Sequence, residues 1–216
     1  MRPTIAATSA RAIHLPVVNS DKSRWNSSSF KAAWKANPAL MLGLLFGAYA
    51  LYDQADNCGI VGVVGTNEDA SGFVIEGLTI LRNRGYDSAG LATVSGDNEL
   101  LVTKYASRDS TCDSIDLVRT NTAKHTGHFT GIGHTRWATH GGKTDSNAHP
   151  HTDQHNRIAL IHNGTINNSY DLRQELLQKG VKFASETDSE VIAQLIGLGL
   201  DKGLTTKEAI EEALAR

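Results

Sequence analysis

The spacing of the apolar residues changes along the chain, and this change limits the folds that the sequence can adopt. Residues 60–65 are β-branched and interrupted by glycine, as expected of a buried strand. Four further short strand patterns follow, at residues 91–94, 100–105, 132–137 and 158–162. A helical pattern at residues 69–82 precedes these four, and three more helical patterns come after the last of them. Strands between two groups of helices predict a layered packing of helices on sheets.

Residues typical of helix ends support the later helices. Gly180 follows a helical repeat of leucines and is well placed as the C′ residue of that helix. Residues 187–190 (TDSE) and 205–208 (TTKE) both have the spacing of a capping box, so we expect a helix to begin at each. The last helix is expected to run to the final residue, Arg216, which suggests a fragment of a longer protein.

The first 57 residues differ in composition from the rest, and we expect a leader that is removed from a domain at residues 58–216. Up to Lys35 the leader contains six basic residues and one acidic residue, with much Ser and Ala, as in an organelle transit peptide. Residues 39–52 are uncharged, but a helix of this length spans roughly 21 Å, less than the ~30 Å core of a membrane. A signal-peptide core, a sorting segment, an interfacial helix and a leader without a role all remain open.

Charge and cysteine content narrow the classes of function. The formal net charge of −2, with no basic run in the C-terminal two thirds, argues against a nucleic-acid surface. Two cysteines cannot form the disulfide framework of a small secreted protein, so a reducing compartment is the simpler interpretation. Such a compartment would keep a reactive thiol available.

Three distant segments carry side chains suited to chemistry. Cys58 begins a predicted strand and is followed by Gly59, which leaves the backbone open on one side, although most free cysteines are simply buried. Arg136 ends another strand and could bind a carboxylate with two hydrogen bonds, although a surface Arg fits its position equally. Asn163 and Gly164 could direct a side-chain amide and a backbone N–H at one oxygen, as an oxyanion hole requires. An ordinary Asn-Gly turn is the alternative.

A fourth element is Asp188, at the front of a predicted helix. It is either a carboxylate that stabilises the helix terminus or a group that binds a substrate ammonium. Cys112, by contrast, has no such surroundings and is interpreted as a buried or plain surface thiol. Each feature is weak alone, but together and in this order they indicate one site.

Six motifs together resemble one family. They are CGIVG from Cys58, RGYDSAG from Arg84, TRWATHG from Thr135, NAHPH from Asn147, HNG from His162 and SETD from Ser185. With these motifs, residues 58–216 resemble the glutaminase domain of the isomerizing glutamine:fructose-6-phosphate aminotransferases, which are class II glutamine amidotransferases. The resemblance implies an α+β fold, a four-layer αββα sandwich of the N-terminal-nucleophile hydrolase type. It implies neither a cofactor nor a metal.

The resemblance also implies roles for the catalytic residues. Cys58 would supply the thiol nucleophile and, through a freed α-amino group, the general base, because such an amine titrates near ~7.7–8.0. Its attack on the side-chain amide of glutamine would give a tetrahedral oxyanion, held by Asn163 and Gly164. Ammonia would then leave, and water would hydrolyse the γ-glutamyl thioester.

Further matched positions are implied to bind glutamine. Arg136, with Thr139 and His140 nearby, would bind its α-carboxylate. Asp188 would bind its α-ammonium group. Trp137 matches the residue that gates the ammonia channel toward the synthase domain.

One histidine of the resemblance is open to a second interpretation. His149 matches a family position near the substrate, with a less defined role. His149, His151 and His155 also have a short spacing at which imidazoles bind zinc, which would make the protein a metal hydrolase. No carboxylate or Cys lies at a supporting distance in sequence, so we place this hypothesis well behind the thiol mechanism.

Two departures from the family pattern bear on activity. The family nucleophile directly follows the initiator Met, whereas 57 residues precede Cys58, so cleavage between Asn57 and Cys58 is expected. The sugar-phosphate isomerase domains that normally follow are absent from this sequence. Alone, the chain should therefore release ammonia, whereas the full-length enzyme would make glucosamine 6-phosphate and form a homo-oligomer.

Location and two alternative functions remain open at this point. The resemblance implies the cytoplasm, while the leader raises a mitochondrial or membrane-associated location. The domain could instead be the glutaminase of an amidophosphoribosyltransferase, which is often made with a propeptide before its Cys. With its leader uncleaved, it could also be a non-catalytic module that binds glutamine.

Overall fold

The computed structural model describes residues 4–7, 58–65, 69–108, 112–138 and 141–216. Apart from a strand at Thr4–Ala7, the predicted leader and its uncharged run at residues 39–52 lie outside the described residues. Within the described ranges, no helix combines the length and apolarity needed to cross a membrane.

The strands of the described chain form two sheets. They are β1 (Thr4–Ala7), β2 (Gly59–Val64), β3 (Ser88–Val94), β4 (Leu100–Ala106), β5 (Thr130–Arg136), β6 (His151–Thr152) and β7 (Ile158–Ile161). One sheet has the order β2-β5-β3-β4 and is antiparallel throughout. The other has the order β1-β7-β6, in which β1 is parallel to β7 and β6 is antiparallel to it.

Among the described residues, the helices form an early pair and a late group of three. They are α1 (Ala70–Ile80), α2 (Ser114–Thr120), α3 (Ser169–Gln178), α4 (Ser189–Asp201) and α5 (Thr206–Leu214). Short 3₁₀ turns cover Arg82–Arg84 and Ala123–His125. The apolar spacing and the capping motifs together predicted all of these helices except α2.

Three apolar clusters define the layers. The first joins α1 and α2 to β3 through residues such as Leu78, Val118 and Leu91. The second lies between the sheets, where Ala92 and Ile132 meet residues of β7. The third joins the opposite face of β7 to α3, α4 and α5. The order is therefore helices, sheet, sheet, helices, because alternate residues of β7 face the two different clusters.

Two of the four predicted helix ends are confirmed. Gly180, at φ +82°, follows α3 in the left-handed conformation, and the N–H of Val181 donates to the Leu176 carbonyl at 3.0 Å. This is the hydrogen bond of a Schellman motif. Thr205 and Glu208 form the predicted capping box of α5. The expectation that this helix reaches Arg216 is wrong, because it ends at Leu214.

The capping box predicted at residues 187–190 is wrong. Helix α4 begins at Ser189 after Asp188, but no side chain caps it. Glu190 instead accepts hydrogen bonds from the backbone N–H groups of Ala184 and Ser185, at 2.8 and 2.6 Å. Thr187 contacts Nε2 of His151 at 2.9 Å. The carboxylate therefore stabilises the segment before the helix, and the side chain of Asp188 is left for other contacts.

Candidate active site

The pairing of β2 with β5 places Cys58 beside the end of β5. Gly59 lies opposite Thr135, and its N–H donates to the Thr135 hydroxyl at 3.0 Å. A Cβ on Gly59 would lie 2.7 Å from that hydroxyl oxygen, closer than real contacts allow. The Gly after Cys58 is thus required by the close approach of β5.

The thiol of Cys58 contacts the backbone of Trp137. The Trp137 N–H donates to Sγ at 3.2 Å, and Sγ lies 3.8 Å from the carbonyl oxygen of the same residue. Cys58 as a residue is only partly buried. A backbone N–H directed at sulfur stabilises a thiolate, the reactive form of Cys.

Asn163 links the other side of Cys58 to a buried histidine. Its Nδ2 donates to the Cys58 carbonyl oxygen at 2.6 Å, and its Oδ1 lies 2.8 Å from Nε2 of His134. Because a carbonyl oxygen only accepts, this contact determines the orientation of the amide. Nε2 of His134 must then carry the proton. The amide nitrogen has two N–H groups, so one remains for another acceptor.

His134 is uncharged in this arrangement. Burial lowers its pKa to about 4, while the hydrogen bond to Asn163 raises it. At neutral pH the ring is therefore a neutral donor to the amide oxygen rather than a proton acceptor for the thiol.

Gly164 follows Asn163 in a conformation that a side chain would not tolerate. Its φ is +152°, and a Cβ there would lie 2.8 Å from Nε2 of His162. The His162 ring is itself held by Ser189 at the start of α4, with Nδ1 and Oγ 3.0 Å apart. Only glycine allows the chain to turn here directly after the Asn163 amide.

Arg136 and Asp188 supply opposite charges to the site, and the Arg136 guanidinium interacts electrostatically with both Asp188 and Cys58. Arg136 is buried, and one guanidinium nitrogen donates to the Gly142 carbonyl at 3.4 Å. Burial lowers the pKa of this guanidinium, while the nearby Cys58 and Asp188 raise it. Asp188 is half-buried, and its Oδ2 accepts the backbone N–H of Ile166 at 2.8 Å.

Three further residues were predicted to belong to the site, and none of them has a described contact with Cys58. Thr139 and His140 lie outside the described residues. His149 is buried, and its ring lies between those of His134 and His151, with centroids 4.3 Å from each. It therefore packs on the residue that holds the Asn163 amide.

The structure offers no support for the zinc hypothesis. His155 is exposed, whereas His149 and His151 are buried. Across the described ranges, no three His, Cys, Asp or Glu side chains form a group that could hold a metal ion.

Sequence reasoning did not select two residues of this site, His134 and Asp87. His134 precedes Arg136 by two positions on β5, so strand alternation puts both on one face of the sheet. The sequence alone could therefore have indicated His134 as a residue of the site. Asp87 acts through contacts with Arg136 and Ala138, and no local pattern predicts contacts between residues so far apart in sequence.

Comparison with known proteins identifies the domain. Residues 120–207 match the family model described as a glutamine amidotransferase domain. This part of the chain is a glutamine amidotransferase domain. The predicted resemblance is thereby confirmed at the level of the family.

Curated relatives of the amidotransferase domain carry a more specific name. The chain is 44% identical over 161 residues to a glutamine–fructose-6-phosphate aminotransferase (isomerizing) of Leifsonia xyli subsp. xyli, covering 74% of this chain and 25% of that protein. It is 48% identical over 158 residues to the enzyme of the same name from Listeria innocua, with 73% and 25% covered. The chain thus spans about a quarter of the length of these relatives.

A solved structure supports the fold of the amidotransferase domain. The glutamine phosphoribosylpyrophosphate amidotransferase from B. subtilis, complexed with ADP and GMP, is 29% identical with a TM-score of 0.59. The match covers 73% of this chain and 32% of that one. The four layers described above are the αββα sandwich of the N-terminal-nucleophile hydrolases, and the predicted α+β fold class is confirmed.

Proposed function

We propose that residues 58–216 hydrolyse glutamine to glutamate and ammonia through a γ-glutamyl thioester on Cys58. The observation that carries this proposal is the position of the thiol. Its sulfur is 3.2 Å from the Trp137 N–H, while the Cys58 carbonyl is bound by the amide of Asn163. A nucleophile and a group able to stabilise an oxyanion are thereby joined in one site.

The proposed reaction begins when Cys58 becomes the first residue of the chain. Its α-amino group takes the thiol proton, and the thiolate attacks the side-chain carbonyl carbon of glutamine. The negative charge that develops on the carbonyl oxygen is stabilised by the second N–H of Asn163 and the backbone N–H of Gly164.

Collapse of the tetrahedral intermediate breaks the C–N bond. The leaving nitrogen takes the proton from the α-ammonium of Cys58 and departs as ammonia, which leaves a thioester. Water, activated by the same amine, then attacks the thioester carbonyl. Glutamate is released and the thiol is restored, so the amine acts as base and acid in turn.

The charges of the site suit the backbone groups of a free amino acid. Arg136 is proposed to bind the α-carboxylate and Asp188 the α-ammonium, with Thr139 and His140 completing the carboxylate site. A planar guanidinium binds a carboxylate with two parallel hydrogen bonds. His149 is proposed to act near the substrate through its contact with His134, and Trp137 to border the path by which ammonia leaves.

The wider role proposed is the supply of ammonia for glucosamine 6-phosphate synthesis from fructose 6-phosphate. It rests on relatives that are 44% and 48% identical, compared with 29% for the phosphoribosylpyrophosphate amidotransferase, which represents the alternative. The proposed partners are sugar-phosphate isomerase domains in a homo-oligomeric full-length enzyme, with the cytoplasm as the proposed location. Residues 1–57 are proposed to be a leader.

The direct test is a glutaminase assay on protein in which Cys58 has been released as the first residue. We expect glutamate and ammonia in equal amounts, measured by coupled enzymatic assays. Glutamine binding by calorimetry without either product would contradict the proposal and support a non-catalytic binding module.

A second prediction concerns Arg136. Lysine keeps the positive charge but loses the planar fork, so the Arg136→Lys variant is expected to raise the KM for glutamine by about tenfold or more. Steady-state kinetics will measure this. Arg157→Lys is the matched control, since Arg157 pairs with Asp153 and Asp201 and is not part of the proposed site. Equal KM values for the two variants would argue against carboxylate binding by Arg136.

A further inference from the structure

Asp87 lies in the turn before β3 and is fixed there by its own backbone. Its N–H donates to the Arg136 carbonyl at 3.1 Å, which continues the ladder in which Ser88 pairs with Arg136. Its carbonyl accepts the N–H of Ser107 at 2.8 Å. The turn therefore holds a defined position beside the end of β5.

The side chain of Asp87 binds the next part of the same segment. Oδ2 accepts the N–H of Ala138 at 2.9 Å, and Oδ1 lies 3.9 Å from the Lys143 ammonium. The peptide units on both sides of Trp137 are thus held by one residue, the first through its backbone and the second through its carboxylate.

The geometry of a peptide unit connects this arrangement to the nucleophile. The carbonyl of Arg136 and the N–H of Trp137 belong to one planar trans unit, so they point in opposite directions. The carbonyl points to Asp87, and the N–H points to Sγ of Cys58 at 3.2 Å. Rotation of this unit would weaken both hydrogen bonds together.

Packing around the turn restricts the same peptide. A Cβ on Gly85 would lie 2.6 Å from the Arg136 carbonyl carbon, so the two backbones are in close contact. The rings of Tyr86 and Trp137 meet edge to face, with their centroids 5.0 Å apart. Asp87 provides the directional part of this support, because it alone in the turn accepts the Ala138 N–H.

We propose that Asp87 is a positioning residue, whose carboxylate holds the Trp137–Ala138 segment so that the Trp137 N–H stays directed at the Cys58 sulfur. The proposal rests on the proposed function only in treating Cys58 as the nucleophile. The competing explanation is that Asp87 acts by its charge on the neighbouring Arg136. The two explanations make different predictions for an uncharged side chain at position 87 that still accepts a hydrogen bond. Such a side chain would preserve a positioning role but not a role that depends on charge.

The test is the rate of Cys58 alkylation by iodoacetamide in the full 216-residue chain, followed by peptide mass spectrometry. It requires no turnover, so its outcome is separate from that of the glutaminase assay. Glutathione in the same solution and the exposed Cys112 serve as reference thiols. Asp87→Ala is expected to slow alkylation of Cys58 about tenfold, when the rate is expressed relative to the two reference thiols. This is the size of effect expected from the loss of one hydrogen bond to a charged group. Asp87→Asn, which keeps an acceptor oxygen, is expected to stay within about twofold of the unaltered chain.

A second variant covers the case in which Asp87→Ala does not fold, as judged by its melting curve. Ala138→Pro removes the N–H that Asp87 accepts and leaves the carboxylate in place, and it is expected to slow Cys58 alkylation similarly. In the double variant the effects should not add, because both remove one hydrogen bond. An unchanged rate in Asp87→Ala or Ala138→Pro, or an Asp87→Asn variant as slow as Asp87→Ala, would overturn the proposal.

Discussion

One extra residue in front of Cys58 is expected to slow glutamine hydrolysis by about 10²-fold or more, the usual contribution of a general base. An amide nitrogen cannot accept the thiol proton, whereas a free α-amine that titrates near ~8 can. The described hydrogen bonds of Sγ both go to the backbone of Trp137, which offers no base. His134 is a poor substitute for the amine, because burial lowers its pKa to about 4 and its described side-chain hydrogen bond is to Asn163 rather than to Sγ.

The experiment compares two products that differ by one residue. A protease recognition sequence replaces only the residues immediately before Cys58. Cleavage of the folded protein then leaves Cys58 as the first residue. In the control the recognition sequence ends one position earlier, and the product begins with Ala followed by Cys58. In both products, cleavage separates β1 from the rest of the chain. Any effect of that separation on activity is therefore the same in the two products.

The rate of glutamate formation is measured before and after each cleavage. Activity should appear only with the first product. Equal activity in both products, or in the uncut chain, would show that another group takes the thiol proton and that release of Cys58 is unnecessary.

The fold could be predicted from the sequence wherever a local pattern matches the period of an element. Leu78 and Val74 repeat on one face of α1, and Gly180 ends α3 because few other residues adopt its backbone conformation. Helix α2 was missed because its seven residues give too few turns to establish a period. The capping box predicted at residues 187–190 shows the limit of such patterns. The Glu190 carboxylate instead accepts hydrogen bonds from backbone N–H groups of the segment before the helix.

The site was predictable in its residue types but not in its connections. Cys58, Arg136 and Asn163 were selected because each has chemistry suited to a hydrolase. The hydrogen bond from His134 to Asn163 and the contact of Asp87 with Ala138 join segments 29 and 51 residues apart. The first contact depends on how the two sheets pack, because Asn163 follows β7, and the second depends on the register of β3 with β5. Neither is set by a single segment of the sequence.

Replacing Cys58 by Ala is expected to reduce glutamine hydrolysis by about 10⁴-fold or more, because no thioester can form. Binding should survive, since Arg136 and Asp188 are proposed to hold the substrate in the ground state. Calorimetry is therefore expected to give a glutamine Kd within a fewfold of that of the unaltered protein. The Cys112→Ala control removes the other, exposed thiol and should retain full activity.

This pair of variants also separates thiol from metal catalysis. If a metal ion activated water, Cys58→Ala would keep most of its activity and a chelator would abolish it. If the thiol forms the intermediate, a chelator should have no effect, while a brief reaction quenched in acid should show Cys58 heavier by a glutamyl group. That adduct should be absent from Cys58→Ala, which has no nucleophilic side chain at this position.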